Sequence, residues 1–407
     1  MQISKKLSKL NFYSFIWHSL FLALASNFMD VDTVIPAMLL RVGGTSIHLG
    51  FLTAILLGGS SIFQLLFAPI ISLSSYKKKH LLLGINLRIF SLFFMAILFW
   101  FSADMSYSVI ISLIFIFISI FSLSGSYANV SYIEMIGKSI RQEDRKSFFS
   151  LREIIKSVGV LLSALIVREL IKQYDYPFRY SLLFFIAAVL LLLASLGFWN
   201  IREIRSRSVV KIGLFNFLKN IPAEIKKNPN LKYYLLIINM AGFGIGFTPF
   251  MILLAKDSFS LSPQFIGNVL VLKIIGMVLT GSFLYKFSKK VKYKTILIFD
   301  IFLGASLPVL ALLLKGYPVY YQFLFILSGV FVSLFKIANS GILLEISNNE
   351  NRVFYAGISG AGKIFSALFP IIAGVLIHYI GFTYVFLLVS VSVLFSYLVA
   401  NRLDLDN

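Results

Sequence analysis

The feature that most constrains this chain is a set of long stretches without a single Asp, Glu, Lys or Arg: residues 42–76, 105–133, 233–255 and 364–400. A helix of about 20 apolar residues crosses the hydrocarbon core of a bilayer, so each stretch is long enough to span it, and the longest must contain a turn. With 58% hydrophobic and only 13% charged residues among 407, the chain carries more apolar surface than a soluble domain can bury. Backbone groups in lipid must be satisfied within their own segment, so the expected class is an all-α membrane protein.

Apolar runs divided by charge clusters and turn residues predict helices near 12–38, 48–73, 80–102, 106–136, 153–174 and 178–200, then near 232–255, 263–287, 294–315, 317–343, 352–379 and 382–401. This makes twelve transmembrane helices in two six-helix bundles, 1–200 and 232–407, joined by a polar linker over 201–231. Within the linker, residues 212–226 suggest an amphipathic helix at the membrane surface, with a solvated linker as the alternative because Pro222 and Pro229 interrupt the pattern. Lys5, Lys6 and Lys9 before an apolar stretch imitate a signal peptide, but the apolar pattern runs on to Leu40, so an uncleaved first helix is expected.

With the N-terminus inside, 26 Lys and Arg fall on cytoplasmic segments and 6 on the opposite loops, which predicts that both termini are cytoplasmic. This distribution also explains the net charge of +20 without nucleic acid, whose partners gather cations on one water-exposed face. There is no Cys, and the four His are scattered, so no metal site, cofactor or thiol chemistry is expected. No catalytic set gathers at a common depth, so an enzyme is not expected. Residues 357–363 match the spacing of a nucleotide-binding loop, but Ile364 stands where Ser or Thr would hold magnesium.

The two halves resemble each other. At an offset of 217, Gly50 aligns with Gly267 and Lys77 with Lys294; at an offset of 207, Glu143-Asp144-Arg145 aligns with Glu350-Asn351-Arg352. Duplicated halves recur in transporters. Over essentially its whole length the chain resembles the major facilitator superfamily. The family's loop after helix 2, Gly-x-x-x-Asp-Arg-x-Gly-x-Arg-Arg, corresponds here to residues 68–78, where the cations Lys77 and Lys78 match and Ser72 and Leu73 replace the Asp-Arg pair. Arg88 early in helix 3, Arg145 before helix 5, Ile201-Arg202-Glu203 after helix 6, and Pro370 with Gly374 in helix 11 also resemble the family. Helix 4 lacks the proton-linked Arg, and helix 5 offers Gly159 without a following proline.

The resemblance implies that helices 1, 4, 7 and 10 line a central cavity, flanked by 2, 5, 8 and 11. Ionisable residues inside a bilayer need a reason to be there. In helix 1, Asn27 and Asp30 share a helical face and Asp32 points elsewhere, so Asp30 is the favoured proton carrier or ion-pair partner, unless both acids sit in water near the outer surface. Lys273, Lys336 and Lys363 in the second half suit an anionic or zwitterionic solute, or else pair and snorkel. Tyr127 and Asn129 on helix 4 can contact a solute or anchor at the interface. Glu134 and Glu345 form locks with Arg145 and Arg352 or are solvated ends, and Arg88 is expected to pack. Glycines 242, 244 and 246 before Pro249 suggest either a broken helix 7 or close packing. The expectation is a monomeric secondary transporter of a small solute in a bacterial plasma membrane, working by alternating access with or without a coupling proton or ion. The alternative is a non-transporting receptor or scaffold on the same fold.

Overall fold

A computed structural model of the chain describes residues 4–72, 74–203, 214–287, 291–347, 355, 358–360 and 362–405. Their regular structure is helical: α1 Lys5–Ser26, α2 Val34–Arg41, α3 Ser46–Ser72, α4 Lys78–Trp100, α5 Tyr107–Ser139, α6 Gln142–Gln173, α7 Phe178–Asn200, α8 Leu214–Lys227, α9 Pro229–Met240, α10 Gly242–Ser258, α11 Pro263–Phe287, α12 Tyr293–Leu314, α13 Pro318–Ile346, α14 Ile364–Ile380 and α15 Phe382–Ala400. Among the described residues, ten helical stretches are long and apolar enough to cross a membrane. α3, 27 residues long, lies wholly within the charge-free stretch 42–76. The charged first turns of α6, with acids and cations mixed, dilute its apolar character.

Two elements depart from the predicted boundaries. The first crossing is not one helix: α1 ends at Ser26, Asn27–Met29 form a single 3-10 turn, and Asp30 is extended before α2 begins at Val34. Asn, Asp, Val and Thr between 27 and 34 either offer the backbone competing hydrogen bonds or lose rotamer freedom in a helix, and together they outweigh the apolar pattern. α6 begins at Gln142 instead of near 153. Glu143 and Asp144 occupy its first turn, where carboxylates favour the helix dipole, and no Gly or Pro follows until Gly159. The predicted amphipathic helix is present as α8 and tolerates Pro222 within it.

The chain forms two compact units whose division differs from that of the sequence halves in one stretch. The first unit takes residues 1–30 and 62–214; the second takes 215–407 together with 31–61, a piece of the first half. In the first unit α4 packs against α5 and α7, and α1 against α6 and α7. Small residues make these crossings close: a Cβ at Gly84 would stand 2.7 Å from the Ser124 carbonyl, and one at Gly159 would stand 2.9 Å from Ala23 Cβ. In the second unit α11 packs on α13, and α12 on α13 and α15. The glycines of α10 are packing residues: Cβ atoms at Gly242, Gly244 and Gly246 would run into Ser366, Phe331 and Pro370. Backbone bonding carries through Ala241, whose N–H reaches the Ile237 carbonyl, and of the two readings of these glycines close packing is the one their contacts support.

The duplication is written in hydrogen bonds. In the first unit the Asn11 amide donates to the carbonyls of Ser139 (3.2 Å) and Arg202 (3.1 Å) and accepts from the Arg202 N–H (3.0 Å). In the second, Asn228 donates to the Ile346 carbonyl (3.1 Å), and Asn230 donates to the Asp404 carbonyl (2.6 Å) and accepts from the Asp404 N–H (3.0 Å). Asn228 lies 217 residues beyond Asn11 and Ile346 lies 207 beyond Ser139, the two offsets read from the sequence. The Lys78 ammonium donates to the Trp199 and Ile201 carbonyls, as that of Lys294 does to Asn401 and Leu403. The counterpart of Lys294 is therefore Lys78, one residue from the Lys77 that the alignment pairs with it.

Candidate functional site

The second unit is unusual because it joins a first-half segment, 31–61, to helices of the second half. The turn at 31–33 brings the Asp32 carboxylate to the Lys273 ammonium of α11, 2.9 Å apart, with side-chain exposures of 12% and 4%. α2 is buried from Val34 to Leu40 and packs on α10 and α11. The Lys256 ammonium donates to the Leu40 carbonyl at 2.7 Å, a cation at the helix C-terminus where the dipole favours one. Farther along, α3 lies directly on α14. A Cβ on Gly50 would collide with the Pro370 carbonyl, one on Gly374 with the Ser46 carbonyl, and one on Gly58 would come to 3.0 Å from Ala367 Cβ. Pro370 and Gly374, noted in the sequence as a pair, thus form the α14 side of this joint.

The joint corrects the reading of helix 1. With the helix interrupted after Ser26, Asn27 and Asp30 have no common helical face. The Asn27 amide is turned onto α6, donating to the Val160 carbonyl (2.6 Å) and Ser163 Oγ (2.7 Å), so it ties two helices together. Asp32, not the favoured Asp30, makes the pair with Lys273. Asp30 is the last residue of the first unit's opening segment, and Lys336 is exposed on α13 of the second.

A second polar cluster lies where α4, α5 and α7 of the first unit meet. Glu203 accepts from the backbone N–H groups of Lys77 (2.6 Å) and Lys78 (2.8 Å), capping α4 with a carboxylate. Lys77 is 1% exposed; its ammonium donates to the Ile71 carbonyl at 2.6 Å and lies 3.5 Å from Glu134. Lys138 pairs with Glu134 at 2.6 Å and lies 3.7 Å from Glu203. Arg145 turns back on the end of α5, donating to the Gly137 and Ile140 carbonyls. The cations facing Glu134 here are therefore Lys77 and Lys138, and the expected Glu134–Arg145 lock is replaced by a helix cap. Arg352 lies outside the described residues, and Glu345 is exposed near the end of α13.

The remaining candidates are dispersed. The Tyr127 hydroxyl meets His80 Nδ1 at 2.5 Å, and Asn129 is exposed on α5. The Arg88 guanidinium stacks 4.2 Å from the Phe121 ring centroid, a packing role between α4 and α5. Lys363 is half-buried at the head of α14, where Asn239 receives the Ser366 N–H and donates to the Gly362 carbonyl. Gly357 and Ala361 of the nucleotide-loop look-alike lie outside the described residues. No group of three or more potential metal ligands occurs among the described residues.

Residues 234–404 match the family model of the Major Facilitator Superfamily. No curated protein matches the chain in sequence. Among solved structures, the nucleoside transporter NupG superposes with a TM-score of 0.67 at 16% identity, over 97% of this chain and 98% of that one. A POT family transporter in complex with 5-aminolevulinic acid gives 0.67 at 11% identity, over 95% and 94%. A bacterial homolog of the human lysosomal transporter Spinster, in an inward-facing and unoccupied conformation, gives 0.65 at 11% identity, over 98% and 96%. The family match thus covers residues 234–404, and along nearly its whole length the chain shares the fold of these membrane transporters.

Proposed function

We propose that this chain is a secondary transporter with twelve membrane crossings and both termini cytoplasmic, moving a small solute by alternating access, and that residues 31–61 form its closure on the side away from the termini. The observation that carries this reading is the Asp32–Lys273 pair. It links a segment of the first half to a helix of the second through two charges that water can solvate separately. A packed apolar interface has no such second state, whereas an ion pair exchanges its partner for water when the helices part. The crossings by α3 and α6 complete the count of twelve.

Lys336 and Lys363 are the cations assigned to an anionic or zwitterionic solute, and Asp30 to a coupling proton or ion. Fold does not choose among substrates: the solved relatives are named for nucleosides, peptides and metal. Uptake of a panel of labelled anionic, zwitterionic and neutral solutes by proteoliposomes tests the proposal. Saturable uptake of an anionic or zwitterionic solute, lowered by Lys336→Gln or Lys363→Gln, is expected. Correctly folded protein that moves none of the panel contradicts the transporter reading, and uptake confined to neutral solutes contradicts the substrate class.

A further inference from the structure

A cavity of about 920 Å³ runs along the outside of the first unit between α1 and α7. Its wall is graded. Lys6 and Lys9 stand at the start of α1, joined by Arg202 after α7; Tyr13 and then Trp17 follow up the same face of α1, with Leu196 opposite. Tyr13 is 58% and Trp17 43% exposed, and the Trp17 indole N–H is fixed on the Leu193 carbonyl at 2.7 Å. From Lys6 to Trp17 the helix rises about 16 Å, which reaches from the phosphate level of a leaflet into the upper acyl chains. Cations, then amphipathic aromatics, then leucine follow the order of phosphate, glycerol and acyl chain in a phospholipid.

The duplicated fold supplies an internal control for this grading. Arg202 is held beside α1 by its backbone alone, through Asn11, and Asp404 is held by the same two hydrogen bonds through Asn230. The clamp therefore accepts either sign of side chain, and a cation at 202 is not demanded by packing. At the 217-residue offset, Lys6 corresponds to Ala223 and Tyr13 to Asn230, while Lys9 has a cation counterpart in Lys226 and Trp17 corresponds to the buried Tyr234, so the exposed aromatic pair belongs to the first unit only. We infer that this groove is a binding site for an anionic phospholipid, whose phosphate is met by Lys6, Lys9 and Arg202 and whose glycerol and upper acyl chain lie along Tyr13, Trp17 and Leu196.

Trp17 gives a local readout. The full chain carrying Trp100→Phe and Trp199→Phe keeps Trp17 as its single tryptophan and is reconstituted into phosphatidylcholine vesicles with a minor fraction of brominated phosphatidylglycerol or brominated phosphatidylcholine. The expected result is a preference of at least about fivefold for phosphatidylglycerol in quenching Trp17, what one cation near an anionic headgroup contributes. The preference disappears in Lys6→Gln/Lys9→Gln/Arg202→Gln and survives in the charge-preserving Lys6→Arg/Lys9→Arg/Arg202→Lys, which separates lost charge from lost folding. Equal quenching by the two lipids overturns the inference, as does a preference unchanged in the glutamine variant. Neither outcome bears on transport.

Discussion

Asp32 and Lys273 are each nearly out of water, so either one left alone is a buried charge without its partner. Removing one member of such a pair typically costs about 3–5 kcal/mol, much more than removing both. Asp32→Asn and Lys273→Gln are each expected to lower thermal stability and uptake strongly, and the double variant to recover part of both; simply additive effects would mean the pair is not coupled. The parallel cycle of Asp30→Asn with Lys336→Gln tests whether two of the ionisable candidates named from the sequence are coupled. Non-additivity there would give Asp30 a partner on α13. Glu203 is the other residue whose loss should be felt, because it caps α4 and sits near Lys138. Glu203→Gln is expected to cost roughly 2 kcal/mol in thermal unfolding, on the scale of a lost charged cap; an unchanged melting temperature would make the cap ornamental.

At the scale of elements, the α3–α14 crossing depends on glycine at two reciprocal places. Gly50 approaches the Pro370 carbonyl and Gly374 the Ser46 carbonyl so closely that a methyl group at either must push backbone from backbone. Gly50→Ala and Gly374→Ala are each expected to destabilise this crossing by about 1–3 kcal/mol. The two together should cost less than their sum, because one methyl already parts the helices. Reaction of a buried Thr53→Cys with a thiol reagent measures the opening, and unchanged reactivity in both variants would show that the crossing tolerates them. Most helices were legible from apolar runs and charge clusters, since burial in lipid imposes both. What sequence could not reveal was the interruption at 27–33, where short polar and β-branched residues decide over the apolar pattern, and the helical start of α6, where charge looked like loop. The partner of Asp32 was illegible for the same reason: its direction was inferred from a helical period that the chain does not keep there. Asn11 and Asn228 were findable, since they lie at the offset already read from Gly50 and Lys77.

For the whole molecule, the repeated clamps at Asn11–Arg202 and Asn230–Asp404 tie α1 to the segment after α7 and α9 to the segment after α15, each clamp closing within one unit. The 26 to 6 distribution of cations predicts that the termini and α8 lie in the cytoplasm. Because the chain has no cysteine, Lys226→Cys on α8 is a clean probe: an impermeant thiol reagent outside intact cells should leave it unlabelled, and labelling there would invert the topology.

The central claim is that the joint between 31–61 and the second half must open for solute to pass. A Cβ at Gly58 would lie 3.0 Å from Ala367 Cβ, shorter than the separation of about 3.5–4.5 Å found across disulfides, so Gly58→Cys/Ala367→Cys can be cross-linked once the helices part slightly. The decisive measurement is uptake into proteoliposomes by this variant, oxidised and then reduced, using the solute found by the panel. Uptake should fall to background when the disulfide forms and return on reduction. Undiminished uptake by fully cross-linked protein would contradict the account.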